Sequence, residues 1–281
     1  MLVVPTRTTD SVSNRKWAHA LLARNGGCTD AEQAGRCVVI DRAPRRIIRE
    51  SAIVFFTNLV SRSAGVAASL PAPTDSRSIV VNGPDPYRIL FVGSGIVVGS
   101  GIASHALGAG GHLARYVSAE TGRGVNLDVV PLPSLLLRFA PTHLSRLDVA
   151  AYDAVILAAG VNDAFGITPL QKWHRSLAAT LRLLKTSLPT SRQIFLLLIA
   201  DPTPSPVFRH RPAQRASRRA EVFNSASSRL AVGHPDVTVI GFEIGPAADT
   251  PRLYDSGSYL GWARQMAPPV VEGLARIRPI P

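Results

Sequence analysis

The residues of this sequence best suited to chemistry are Asn162 and Asp163, which close the run Tyr152-Asp-Ala-Val-Ile-Leu-Ala-Ala-Gly160-Val-Asn-Asp163. Ala154 to Ala159 is short and almost continuously apolar, the pattern of a parallel strand covered on both faces. In open parallel sheets, ligands sit beyond the carboxyl ends of the strands. Asn162 would then stand at a crevice, where its amide can donate to a developing oxyanion while Asp163 holds a loop or a helix start. The same residues also suit a plain strand-to-helix turn, so context must decide. A second apolar run, Tyr87-Arg-Ile-Leu-Phe-Val-Gly93, leads into Ser94-Gly95-Ile-Val-Val-Gly99-Ser-Gly101 and a helical segment reaching Thr121. Two strands ending in one crevice make a site.

The glycines at 93, 95 and 99 have the strand-turn-helix setting of a dinucleotide loop, but their spacing departs from G-x-G-x-x-G. The next strand ends Val129-Val130-Pro131 with Asp128 inside it, so no acidic residue closes it for a ribose. The glycines read instead as a turn that lets a helix pack closely on the sheet. No cofactor is expected. No metal is expected either, because the sequence has neither His-x-x-x-His nor clustered carboxylates.

These blocks, with Val125-Asn-Leu-Asp-Val-Val130 between them, resemble the SGNH/GDSL hydrolases, whose first block is a strand running into G-D-S and whose third is G-x-N-D. The resemblance runs from about Pro84 to the end of the chain. It includes the helix Arg215 to Leu230 with Phe223-Asn224, the strand Val237 to Phe242 and the closing helix from Tyr259. It implies acyl-ester hydrolysis, in which a serine attacks a carbonyl, a histidine moves the proton, and backbone N–H groups with an asparagine hold the oxyanion. Gly160 and Asn162 match the third block. In the first block Ser94 takes the place of the aspartate and Gly95 that of the nucleophile. Ser134 lies nearest the glycine of the second block. The fourth block, D-x-x-H, should fall within Asp249 to Ser258, yet no histidine follows His234.

Two readings follow. One is a divergent esterase or acyl hydrolase of weak or no activity, in which Ser94 substitutes as nucleophile and His105 or His112 as base. The other is a non-catalytic relative that keeps the crevice for an acyl, glycan or protein ligand. In both, Asn162 and the Gly95 N–H are the expected oxyanion donors.

Positioning these residues requires a sheet. The runs Arg88 to Val92, Val125 to Val130, Ala154 to Ala159, Gln193 to Ile199 and Val237 to Phe242 alternate with helical patterns. One helix carries Leu170, Trp173, Leu177, Leu181 and Leu184 on a single face. Alternating β and α predicts a three-layer α/β/α fold around a five-stranded parallel sheet in the order 2-1-3-4-5, and the resemblance implies that it is flavodoxin-like and of SGNH-hydrolase type. Gly93 and Gly160 should share the carboxyl edge.

Residues 1–44 lack periodicity and read as disordered or weakly structured. Residues 45–83 read as an N-terminal helical extension and linker, and 84–281 as the hydrolase-like domain. The apolar centre of 45–70 is too short to span a bilayer. It is expected to dock on the domain, with peripheral membrane contact through Arg45, Arg46 and Arg49 as the alternative. The expected location is cytoplasmic, or membrane-associated in that alternative. Cys28 and Cys37 form no metal-site pattern.

The 31 basic and 19 acidic residues give a net charge of +12. This balance favours acidic partners without naming one. No specific nucleic acid is expected, because the densest arginine run, Arg209 to Arg219, has no interleaved aromatics. A small-molecule ester, or an acyl or glycan ligand, is the expected partner.

Overall fold

The computed structural model describes residues 70–189, 192–205, 208–245 and 254–278. The expected helix at 45–70 and the tract 1–44 lie outside them, apart from Leu70. The strands are β1 (Ser78–Val81), β2 (Tyr87–Gly93), β3 (Val125–Pro131), β4 (Ala154–Ala158), β5 (Gln193–Leu197) and β6 (Val237–Ile240). The helices are α1 (Ala109–Thr121), α2 (Ala140–Leu144), α3 (Val161–Phe165), α4 (Leu170–Ser187), α5 (His210–Ala231) and α6 (Ser256–Ile277).

The sheet order is β1-β3-β2-β4-β5-β6. Its parallel part reproduces the predicted 2-1-3-4-5. The sixth strand, β1, is an addition within the stretch read as linker. It pairs antiparallel to β3, Ser78 opposite Asp128 and Val81 opposite Val125. The four residues carry one buried side chain, Ile79, too little pattern to declare a strand; the edge of β3 recruits them.

Side chains alternate across a strand. Ile89 and Phe91 therefore pack beneath α1 and α6, while Leu90 and Val92 face α4 and α5. Every residue of β4 and β5 is buried, as expected of central parallel strands. Gly93 pairs with Ala158, and Gly160 follows two residues later, so the two turns open on the same edge. No helix among the described residues is long and apolar enough to cross a membrane.

Candidate functional site

Gly93 sets the geometry of the crevice. Its φ is +140°, and a Cβ there would lie 1.8 Å from the carbonyl oxygen of Ala158. Lacking one, the end of β2 closes onto β4. The Ser94 N–H donates to Ala158 O at 2.9 Å, and the Leu132 N–H to Gly93 O at 2.7 Å. This turns Ser94 inward. The residue is 2% exposed, and its hydroxyl has no hydrogen-bond partner among the described residues.

The inward hydroxyl borders a cavity of about 260 Å³ beyond the ends of β2, β4 and β5. Gly95, Val161, Phe165, Ile199 and Trp262 are among its walls, and among the described residues that line it none carries a charged side chain or an imidazole. Gly95 has a φ of +62° and opens a short 3-10 turn.

Asn162 also lines the cavity, but its amide is committed elsewhere. Nδ2 donates to Pro133 O at 2.9 Å and to Leu135 O at 3.0 Å. Both amide protons therefore hold the loop after β3, where the sequence predicted an oxyanion donor. Asp163 completes the clamp: its carboxylate accepts the Leu137 N–H at 2.9 Å and the Thr168 hydroxyl at 2.9 Å. Asn224, flagged in the sequence beside Phe223, fixes the end of β5 through reciprocal 2.9 Å bonds with the Ile199 N–H and C=O.

The other sequence candidates lie elsewhere. Ser134 is exposed in the turn after β3 and outside the cavity wall. His105 is buried in a 3-10 turn whose backbone N–H donates to Asp75 Oδ1 at 2.9 Å. His112 Nε2 meets Ser256 Oγ at 3.0 Å, and its Nδ1 meets an Arg115 guanidinium nitrogen at 2.9 Å. A guanidinium only donates, so Nδ1 accepts and Nε2 carries the proton. Burial lowers the pKa of both rings. Neither lines the cavity, so the predicted pairing of Ser94 with a replacement base is not formed: the His105 backbone is tied to Asp75 and the His112 ring to Ser256 of α6.

Sequence reasoning missed Tyr254 and Ser205. The Tyr254 hydroxyl bonds Ser205 Oγ, and its ring meets Trp262 edge-on at 5.2 Å. Both Tyr254 and Trp262 line the cavity. Burial pushes the Tyr254 pKa up, which keeps the phenol neutral. Tyr254 directly precedes Asp255, which caps α6 by accepting the Ser258 N–H at 2.9 Å. Asp-x-x-Ser before an apolar helical run is a readable signal of that start; nothing local marks Ser205.

The model of the GDSL-like lipase/acylhydrolase family matches residues 91–265, more than half of the chain. The chain belongs to the GDSL-like lipase/acylhydrolase family. Solved structures similar to this family member include a carbohydrate acetylesterase family member from Sinorhizobium meliloti. It is 15% identical over 67% of this chain and 99% of that one, with a TM-score of 0.46. An inhibitor-bound aryl esterase of M. smegmatis is 15% identical over 66% and 99%, with a TM-score of 0.45. A family two carbohydrate esterase from Cellvibrio japonicus is 12% identical over 70% and 64%, with a TM-score of 0.48. No curated protein matches significantly.

Within this GDSL-like domain the Asp163 clamp has a pH signature. Burial raises its pKa from 3.8 to about 6, against the opposing Leu137 and Thr168 hydrogen bonds. The native state thus holds a proton that the unfolded chain has already released. The stability contributed by the neutral carboxyl is present at pH 4 and is lost as pH rises to about 6. Asp163→Asn cannot ionise, so it should gain on the wild type by about 3 kcal/mol between pH 4 and pH 7. Urea unfolding of both proteins across that range measures the difference; a constant difference would refute the assignment.

Proposed function

We propose that this family member binds a neutral acyl ligand in the crevice and has little or no hydrolytic activity. The observation that carries the reading is the cavity wall, whose described residues include Gly95, set at the nucleophile's place by the sequence resemblance, and no imidazole. Nucleophile and base must lie within hydrogen-bond reach of one another. Loss of either member of such a triad costs several orders of magnitude in turnover, leaving roughly 10³ to 10⁴ over water.

The wall also speaks to ligand class. An isolated charge in an apolar site carries a large desolvation penalty, so a cavity whose described lining residues include no charged side chain favours an uncharged ester over a carboxylate. Ser94 offers a buried hydroxyl for the ligand's carbonyl. A volume of about 260 Å³ lies near the lower end of small-molecule sites, which suits a short acyl chain or a small acylated sugar.

Ethyl butyrate, with butyrate as its charged counterpart, tests the reading in thermal melts. The ester should raise the melting temperature and butyrate should not. Ser94→Ala should abolish the ester's effect while leaving the ligand-free protein as stable or more so, since a buried hydroxyl without a partner costs about 1 to 3 kcal/mol. Fluorophosphonate should not label the wild type, and Gly95→Ser alone should not create turnover of p-nitrophenyl esters. Labelling of the wild type that disappears in Ser94→Ala would replace this reading with a substitute-nucleophile hydrolase. No shift with ethyl butyrate would exclude short acyl esters as the ligand.

A further inference from the structure

We propose that the α4–α5 layer is a docking surface for an anionic phospholipid membrane. Helices α4 and α5 together carry nine Lys and Arg residues and a single acid, Glu221. The opposite layer, α1 and α6, carries three against two acids. An arginine-rich composition by itself would load both layers alike, so the excess belongs to this face.

The cations are arranged to meet a surface. Arg211, Arg215, Arg218 and Arg229 fall along one exposed stripe of α5, and Lys172, Arg175 and Arg182 along one of α4. None of these seven makes an ion pair with a described carboxylate. Lys185 and Arg219 are engaged within the fold, Lys185 with Asp236 and Arg219 with the Thr168 carbonyl.

Apolar side chains stand among the cations. Four of the large hydrophobic residues left exposed belong to this layer or its flanks: Ile167 at 67%, Leu170 at 43%, Val222 at 47% and Val232 at 89%. Val222 lies on the arginine stripe itself. Leu170, Ala226 and Leu230 line a groove between the helices with Arg175 and Arg229. Cations interspersed with aliphatic side chains match an anionic headgroup region above an acyl boundary. Single-stranded nucleic acid would call for stacking aromatics, whereas Trp173 and Phe223 of these helices are buried. Ile167 is two residues beyond Phe165, a wall of the cavity, so the face adjoins the crevice.

Sedimentation of the full-length chain with vesicles tests the proposal. One set is phosphatidylcholine, the other equal parts phosphatidylcholine and phosphatidylglycerol. The protein should bind only the anionic set and be displaced by high salt. The quadruple variant R175Q/R182Q/R215Q/R218Q should bind several hundred times more weakly, since each cation near the surface contributes roughly fivefold. R45Q/R46Q/R49Q should bind as the wild type does. Melting temperatures verify that the variants fold; if the quadruple variant melts low, Arg175→Gln and Arg218→Gln singly should each show the fivefold loss. Absence of binding to anionic vesicles would overturn the proposal. So would an unchanged affinity in the α4–α5 variants, loss only in the N-terminal variant, or tighter binding to duplex DNA than to the vesicles.

Discussion

Gly93→Ala is expected to yield no soluble folded protein, or a domain destabilised by more than about 4 kcal/mol, the range reserved for severe local disruptions. The added Cβ would sit 1.8 Å from Ala158 O and 2.7 Å from Ala158 C, both backbone atoms of the adjacent central strand. No rotamer can relieve such a contact. Separating the strands instead would break the Ser94 N–H to Ala158 O bond and the register in which Gly93 faces Ala158. The φ of +140° adds strain for any residue with a side chain. Gly122→Ala is the control: it also has a positive φ, +67°, as the C-cap of α1, but nothing lies within 4 Å of its Cβ position. It should lose only about 1 to 2 kcal/mol, the cost of a left-handed residue. Urea midpoints of the two variants separate steric exclusion from backbone preference. A Gly93→Ala protein melting within a few degrees of the wild type would contradict the close approach.

Asp153→Ala should be the most damaging change at the other end of the sheet, lowering stability by about 3 to 5 kcal/mol. Asp153 is 3% exposed at the start of β4. It accepts the Arg88 N–H at 2.8 Å and pairs with both Arg192 and Arg278. Removing the carboxylate leaves two guanidinium groups side by side and a β2 amide without its acceptor. Arg278 also pairs with Asp85 at 2.8 Å, and its carbonyl accepts the Tyr87 hydroxyl at 3.0 Å, so it is held to the start of β2 by other contacts. Arg278→Gln should therefore cost less than Asp153→Ala, because Asp153 retains Arg192 and the amide. Equal losses in thermal melts would mean that Asp153 acts only through Arg278.

The parallel sheet was legible because its signals are local. A buried strand needs only a short apolar run and a glycine to end it, and β2, β4 and β5 each show the run. The alternation of Ile89 and Phe91 with Leu90 and Val92 assigns the two faces without reference to the rest of the chain. Composition near the site was equally legible: a turn rich in glycine follows β2, and no histidine follows His234. Direction was not. The inward turn of Ser94 depends on Gly93 meeting Ala158, 65 residues away in sequence. The Asn162 amide follows the carbonyls of Pro133 and Leu135, which a strand-turn motif does not reveal. His105 and His112 are close to Ser94 along the chain, yet Asp75 and Ser256 hold them outside the cavity wall. Tyr254 and Ser205 meet across 49 residues, and β1 exists because β3 offers an unpaired edge. Periodicity is a property of neighbours along a chain, whereas the partner of a polar side chain is chosen by whichever group the packed fold brings within about 3 Å.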